Sequence, residues 1–346
     1  MIKGLSESLP RKTTTVLLMV LILLNMAFST GCSREKHQRV TAYTTLDEEL
    51  ARKLFKAFTD ETGIKVDWIR LSTGECVARL AAERSNPHAS IWFGGVGLGH
   101  IEARNIGLTE AYRSPYALMP IRFRDPKFYW TGLYASPLCF ESNTEKLKQY
   151  GLKPPLSWKD LIKPEYRNHI QMANPGSSGT SYNIISTLIQ IFGEEEAFAY
   201  LSLLDKNITH YTRSGLAPGK NMSIGEVAIA IGYTHDALKL QKEGYPIEIT
   251  FPEEGTGYEI ASISRIKNAP EKEREAAKLF FDWALQESAT KILASQNVVP
   301  FHKTLITLGT FSINDVNIVH QDDEWSAANK QRLVEKWNQR IGFKYE

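Results

Sequence analysis

The sequence predicts an α/β fold of two lobes joined by crossing strands, with a ligand cleft between them. Short apolar runs alternate with amphipathic helical patterns in two stretches, one from residue 40 and one from residue 133. Neither a long flexible linker nor a repeat period separates them. The 346 residues also exceed what one average domain buries around a single core. A hydrophobic fraction of 42% and a charged fraction of 23% are those of an ordinary globular chain.

The N-terminus departs from that average. Lys3, Arg11 and Lys12 precede "VLLMVLILLNMAF", an apolar run of 13 residues. That length suits the core of a signal peptide better than a membrane span. "STGC" follows, small residues leading into Cys32. The arrangement is similar to a bacterial lipoprotein signal, in which cleavage leaves Cys32 as a lipidated first residue. Ser29 stands where that pattern prefers leucine, and an uncleaved N-terminal anchor is the alternative. Residues 1–31 are thus expected to be an export signal and 32–39 a tether. The bulk of the chain is expected outside the cytoplasmic membrane, anchored there through the lipid on Cys32.

Of the 41 basic and 39 acidic residues, the signal holds three and one, which leaves 38 of each. The mature chain is neutral overall, so net charge gives no case for a nucleic-acid partner. Beyond Cys32 only Cys76 and Cys139 remain, and spacing alone does not pair them.

The elements follow in order. "RVTAYTT" reads as a strand ending in hydroxyls. "LDEELARKLFKAFTDETG" reads as a helix with Leu46, Leu50, Leu54, Phe55 and Phe58 on one face, closed by Gly63. "IKVDWIRL" alternates as a strand, "GECVARLAAERSNP" is a helix stopped at Asn86-Pro87, and "ASIWFGG" is the next strand. In the second stretch "IQMANP" and "EVAIAIGY" are strands. "GTSYNIISTLIQIFG" and "DALKLQKEG" are the helices after them. "TGYEIASISRIKNAP" is an extended segment leading back, and "EKEREAAKLFFDWALQES" is one amphipathic helix.

In such sheets ligands sit beyond the carboxyl ends of the strands, where helix N-termini point. Thr44 and Thr45 stand at the first junction, and Thr45 has capping-box spacing to Glu48. Ser72 has the same spacing to Glu75, and Ser178, Gly179, Thr180 and Ser181 stand at a third junction. Each could be a helix cap and no more. Together, hydroxyls, free N–H groups and positive helix ends make an anion site. His235 and Asp236 stand at a fourth junction, where Asp236 is either an N-cap or a ligand contact. Glu259 lies at the edge of another apolar stretch. Carboxylates repel phosphate, so Asp236 and Glu259 suit hydroxyl or amine donors at the other end of a ligand.

Enzyme signatures are weak. "GGVGLG" at Gly94–Gly99 follows the third strand of its lobe, the wrong place for a dinucleotide loop. "GSSG" at 176–179 lacks the alternation of a nucleophile elbow. The eight histidines show no HExxH and no zinc spacing.

The segments "YTTLDEELARKLFKAFTDETGIKV", "LSTGECVARLAAERSNPHASIWFGG", "NPGSSGTSY", "GEVAIAIGYTHDAL" and "FPEEGTGYEIASISRIKNAP" together resemble the extracellular solute-binding proteins of ATP-driven importers. The resemblance spans residues 40 to 305 and points to the iron(III)/organophosphate branch. It implies a type II periplasmic-binding fold with lobe 1 at 40–132 plus 256–312 and lobe 2 at 133–255 plus 313–346. It also implies a monomer without cofactor or catalysis, served by permease and ATPase subunits. The ferric branch carries adjacent tyrosines where this chain has Tyr233, Thr234, His235 and Asp236. The hexose-phosphate branch has a His-Asp pair there and a glutamate 24 residues after the histidine, as His235 and Glu259 are here. By that resemblance Thr44, Ser178, Gly179 and Thr180 hold phosphate, and His235, Asp236 and Glu259 hold sugar hydroxyls; Thr45, Ser72, Gly95 and Ser181 complete the expected ligand-binding set. Thr44 replaces the usual serine. Ferric iron, a sensor role beside a receptor kinase, and an exported phosphate-ester hydrolase are the alternatives.

Overall fold

The computed structural model describes residues 39–301 and 311–342. The export signal, Cys32 and nearly all of the tether lie outside the described residues. The first stretch runs β1 (Arg39–Thr44), α1 (Glu48–Thr62), β2 (Lys65–Arg70), α2 (Thr73–Ala82), β3 (Ile91–Val96), α3 (Gly97–Asn105) and β4 (Thr109–Glu110). β1 lies between β2 and β3, parallel to both, so the expected βαβαβ unit forms. Helix α1 buries Leu50, Ala51, Leu54, Phe55 and Phe58, and Gly63 closes it with a left-handed φ of 72°.

The capping box expected between Thr45 and Glu48 does not form. Asp47 is the N-cap of α1, and its carboxylate accepts from the N–H of Glu49. Aspartate stands closer to the first helical turn and is the better acceptor. The box at α2 does form: Glu75 accepts from the backbone N–H of Ser72 at 2.9 Å and from its hydroxyl at 2.7 Å.

The second stretch opens with β5 (Thr131–Asn143), buried at every position and not singled out in the sequence. It continues through α4 (Thr144–Tyr150), β6 (Ile170–Ala173), α5 (Gly179–Phe192), α6 (Glu194–Leu204), β7 (Ile208–Thr212), α7 (Ala217–Ser223), β8 (Ile229–Tyr233), α8 (Thr234–Lys242) and β9 (Ile247–Thr250). The chain returns through β10 (Tyr258–Ile266) to α9 (Arg274–Ala284), α10 (Glu287–Ala294), β11 (Val299–Pro300) and α11 (Asp323–Arg340). The single helix expected over 271–288 is thus two, broken at Leu285 and Gln286.

The strand order is β2-β1-β3-β10-β5-β8-β6-β7, with β4, β9 and β11 attached at its side. β5 belongs to both halves. Up to Pro137 it pairs with β10, and from Leu138 onward with β8 and β9. Proline has no N–H to leave unpaired, so it suits the point where one ladder ends and the next begins. There the N–H of Leu138 donates to the carbonyl of Gly257 at 2.9 Å, and the Thr256 hydroxyl donates to the carbonyl of Leu138 at 3.0 Å. β5 and the segment entering β10 are therefore the crossing strands.

Each half has its own core. In the first, Phe280 of α9 meets Phe58, Phe93 and Phe55 with ring centres 5.0, 5.2 and 5.7 Å apart. In the second, Phe140 of β5 packs edge-on against Trp158. Trp337 of α11 packs edge-on against Tyr211 of β7. Helix α11 also donates from Lys330 to Glu102 of α3, which ties the chain end to the first half. Cys76 and Cys139 are both buried free thiols.

Phe280→Ala removes a fully buried ring that four aromatic neighbours share, Trp283 being the fourth. The loss is expected to be about 3–5 kcal/mol. Urea unfolding followed by circular dichroism measures it, and a midpoint equal to that of the native chain contradicts this account of the core.

Candidate ligand-binding site

The ends of β1, β3 and β8 and the starts of α2, α5 and α8 converge on one cavity between the two halves. Nine residues expected at a site line it: Thr45, Ser72, Gly95, Ser178, Gly179, Thr180, His235, Asp236 and Glu259. Two do not. Thr44 is fully buried behind the surface, and its hydroxyl donates to the carbonyl of Phe93 at 2.9 Å. Thr45, expected beside it, lines the cavity instead, as the alternation of direction along a strand allows. Ser181 points back into its own lobe, donating to the carbonyl of Ala173 at 2.6 Å while its N–H is capped by Ser178.

One rim of the cavity is made of helix starts. Ser178 is the N-cap of α5 and takes the N–H of Ser181, which leaves the N–H groups of Gly179 and Thr180 without an intrahelical partner. The start of α2 comes against it. The N–H of Gly74 donates to the carbonyl of Ser177 at 2.9 Å. A Cβ on Gly179 would overlap Thr73, and one on Gly74 would overlap the carbonyls of Gly176 and Ser177. Gly215 closes over the same corner, since a Cβ there would strike the hydroxyls of Thr180 and Ser178. Gly95 has a φ of 90° and lies against the Thr45 hydroxyl, which is buried and has no partner among the described residues. Arg70, from the end of β2, reaches across to the Ser214 hydroxyl at 3.2 Å.

The other rim is acidic. Asp236 is not an N-cap. Helix α8 begins at Thr234 with Tyr233 as its cap residue, so Asp236 falls in the first turn and lines the cavity. His235 Nε2 lies 3.4 Å from Asp236 and 3.9 Å from Glu259, and its Nδ1 has no partner among the described residues. Tyr134 and Tyr233 flank the imidazole with ring centres 5.5 and 6.1 Å away. Burial holds His235 below its ordinary range, with Asp236 pulling the other way, so the ring is neutral at neutral pH. Burial raises Asp236 despite His235, and raises Glu259 well above the usual carboxylate range, with Asp236 adding to the effect.

Beneath this rim Glu141 of β5 is 1% exposed, and its Oε2 has no partner among the described residues. Burial, followed by the charge of Asp236, pushes it up to about 8. The folded chain then holds this proton where the unfolded chain has released it. Glu141 therefore favours folding less as pH rises from about 4 toward about 8.

Arg70, Thr73, Tyr134, Gly215, Lys239 and Gln296 also line the cavity and were not singled out in the sequence. The hydroxyl run that signalled Ser72 extends to Thr73. Arg70 ends a strand, a position read only for its apolar alternation. Gly215 and Gln296 carry no local signal.

Residues 99–322 match the family described as bacterial extracellular solute-binding protein. An uncharacterized protein of Haemophilus influenzae is 35% identical over 331 residues, covering 92% of this chain and 95% of that one. The structure of the periplasmic binding protein AfuA from Actinobacillus pleuropneumoniae, with fructose-6-phosphate bound, is 33% identical. It superposes with a TM-score of 0.84 over 88% of this chain and 98% of that one. A putative 2-aminoethylphosphonate-binding periplasmic protein of Salmonella typhimurium is 26% identical, covering 69% of this chain and 70% of its own. The chain belongs to the bacterial extracellular solute-binding proteins, has their type II periplasmic-binding fold, and serves an importer outside the cytoplasm by capturing a small molecule.

Proposed function

We propose that the cleft captures a phosphorylated small molecule, a sugar phosphate, and delivers it to permease and ATPase subunits. The observation that carries this reading is the approach of the α2 and α5 N-termini. Two positive helix ends repel each other unless an anion lies between them. Thr45 and Thr180 add hydroxyls at that corner beside the caps Ser72 and Ser178, Gly95 and Gly179 let backbone come close, and Arg70 adds a cation. Opposite them, Asp236, Glu259 and the unpartnered Nδ1 of His235 suit sugar hydroxyls. The fructose-6-phosphate held by AfuA supports the same class of ligand.

The ferric alternative fits less well. Tyr233 is followed by Thr234, His235 and Asp236 in place of a second phenol, and the Asn183 amide donates to the Tyr233 hydroxyl at 2.9 Å. We assign the cleft to capture without catalysis, by lobes divided near Pro137 and Gly257. The domain is a monomer tethered through lipid on Cys32.

Glucose 6-phosphate at a hundred times its dissociation constant is expected to stabilise the fold by about 2.7 kcal/mol, read as a rise in melting temperature. Asp236→Ala is expected to weaken glucose 6-phosphate binding roughly tenfold to a hundredfold in calorimetry and to leave inorganic phosphate binding alone. Thr180→Ala is expected to weaken both ligands. The assignment of the rims fails if Asp236→Ala loses inorganic phosphate or if Thr180→Ala loses neither. A Cys32→Ser chain is expected in the soluble extracytoplasmic fraction, and its retention in membranes contradicts the lipid tether.

A further inference from the structure

The cleft adjoins a second cavity of about 530 Å³, against about 60 Å³ for the first. Asp47, Gly215, Leu216, Asp236 and Lys239 line both, so the two spaces are neighbours with a shared wall. A ligand held by its phosphate in the narrow space has its remaining room in the wide one.

Six carboxylates and three cations line the second cavity. The cations are committed. Arg52 pairs with Glu48 at 2.6 Å, Lys220 with Asp47 at 3.3 Å, and Lys239 with Asp47 and Glu49 at 3.0 and 3.3 Å. Glu141 makes no ion pair with any of them, and Asp236 feels Lys239 and Lys220 only at a distance. Glu141 is the more exceptional. Two glycines make room for its carboxyl, for a Cβ on Gly219 would strike Oε2 and one on Gly232 would strike Oε1. A space cleared for a buried acid, with one oxygen unbonded, is costly unless something else completes it.

We propose that the second cavity is an ammonium subsite, which takes the protonated amine of a phosphorylated amino sugar whose phosphate sits in the first cavity. This rests on the phosphate-binding reading of the cleft. Glu141 supplies the carboxylate that faces the amine, and Asp236 borders both halves of the ligand. When the ammonium enters, Glu141 gives up its proton to solvent, so the pair forms as an ion pair and charge balances. The ligand is then complementary end to end, with its anion at the helix starts and its cation at the buried acids.

Calorimetry with glucose 6-phosphate and glucosamine 6-phosphate tests this at neutral pH. The amino sugar is expected to bind roughly tenfold tighter. In buffers of different ionisation enthalpy it is expected to release about one proton more than the neutral sugar. Glu141→Gln is expected to bind the two ligands alike. Equal affinities in the native chain, equal proton release, or a preference that survives in Glu141→Gln overturns the subsite. The native proton count decides the matter even if the variant does not fold. Binding of glucose 6-phosphate without any amine preference removes the subsite alone, whereas no binding of either ligand removes the phosphate reading as well.

Discussion

The hydrogen bond from the Gly74 N–H to the Ser177 carbonyl sets the geometry of the whole cleft. It joins the turn before α5 to the first turn of α2, and so it joins the two lobes. Neither Gly74 nor its counterpart Gly179 can carry a side chain at this separation. The contact directs two helix dipoles at one point, an arrangement that polar backbone alone does not favour. Arg70 adds a cation at that rim, and the unbonded Thr45 hydroxyl adds a donor. The lobes thus meet where they are least content to meet without an anion.

The far rim follows from the opposite constraint. Asp236, Glu259 and Glu141 are carboxyls withdrawn from water, and burial raises all of them. Their interaction disfavours charging them together. A neutral His235 between Asp236 and Glu259 supplies no full countercharge. Such a rim is selective because it is poorly satisfied by itself. Ligand donors recover hydrogen bonds that the protein has forgone, and an analogue lacking a donor leaves a buried acceptor empty.

Much of this was legible in the sequence because helix starts and strand ends carry local chemistry. Hydroxyls at spacing for caps located Ser72, Ser178 and Thr180. The His235-Asp236 pair at the end of an apolar run located the acidic rim. The same locality left Thr44 and Thr45 undivided. Thr44 and Thr45 are identical side chains, and only the register of β1 against β3 decides which faces the cavity. β5 escaped notice because it is buried on both faces while carrying Ser136, Glu141, Ser142 and Asn143, which break any apolar run. Glu141 had no signal at all. Its meaning depends on Gly219 and Gly232, 78 and 91 residues farther along the chain, both brought against it only by the fold.

Closure then depends on how strongly the lobes hold each other without ligand. At the mouth of the cleft the charged link is Asp47 at the start of α1, bonded by Lys239 of α8 and Lys220 of α7. Burial opposes its charge, yet the two lysines hold its carboxyl down to about 2. Lys220 is 59% exposed and Lys239 24%, so solvent screens much of this attraction and it amounts to a modest bias. A strong link would shut the cleft whether or not it was filled, and a receptor shut when empty could not report capture to its importer. A weak link beside two opposed helix ends leaves the closed state dependent on the anion that reconciles them. Differential affinity of the ligand for the closed state is what moves the lobes.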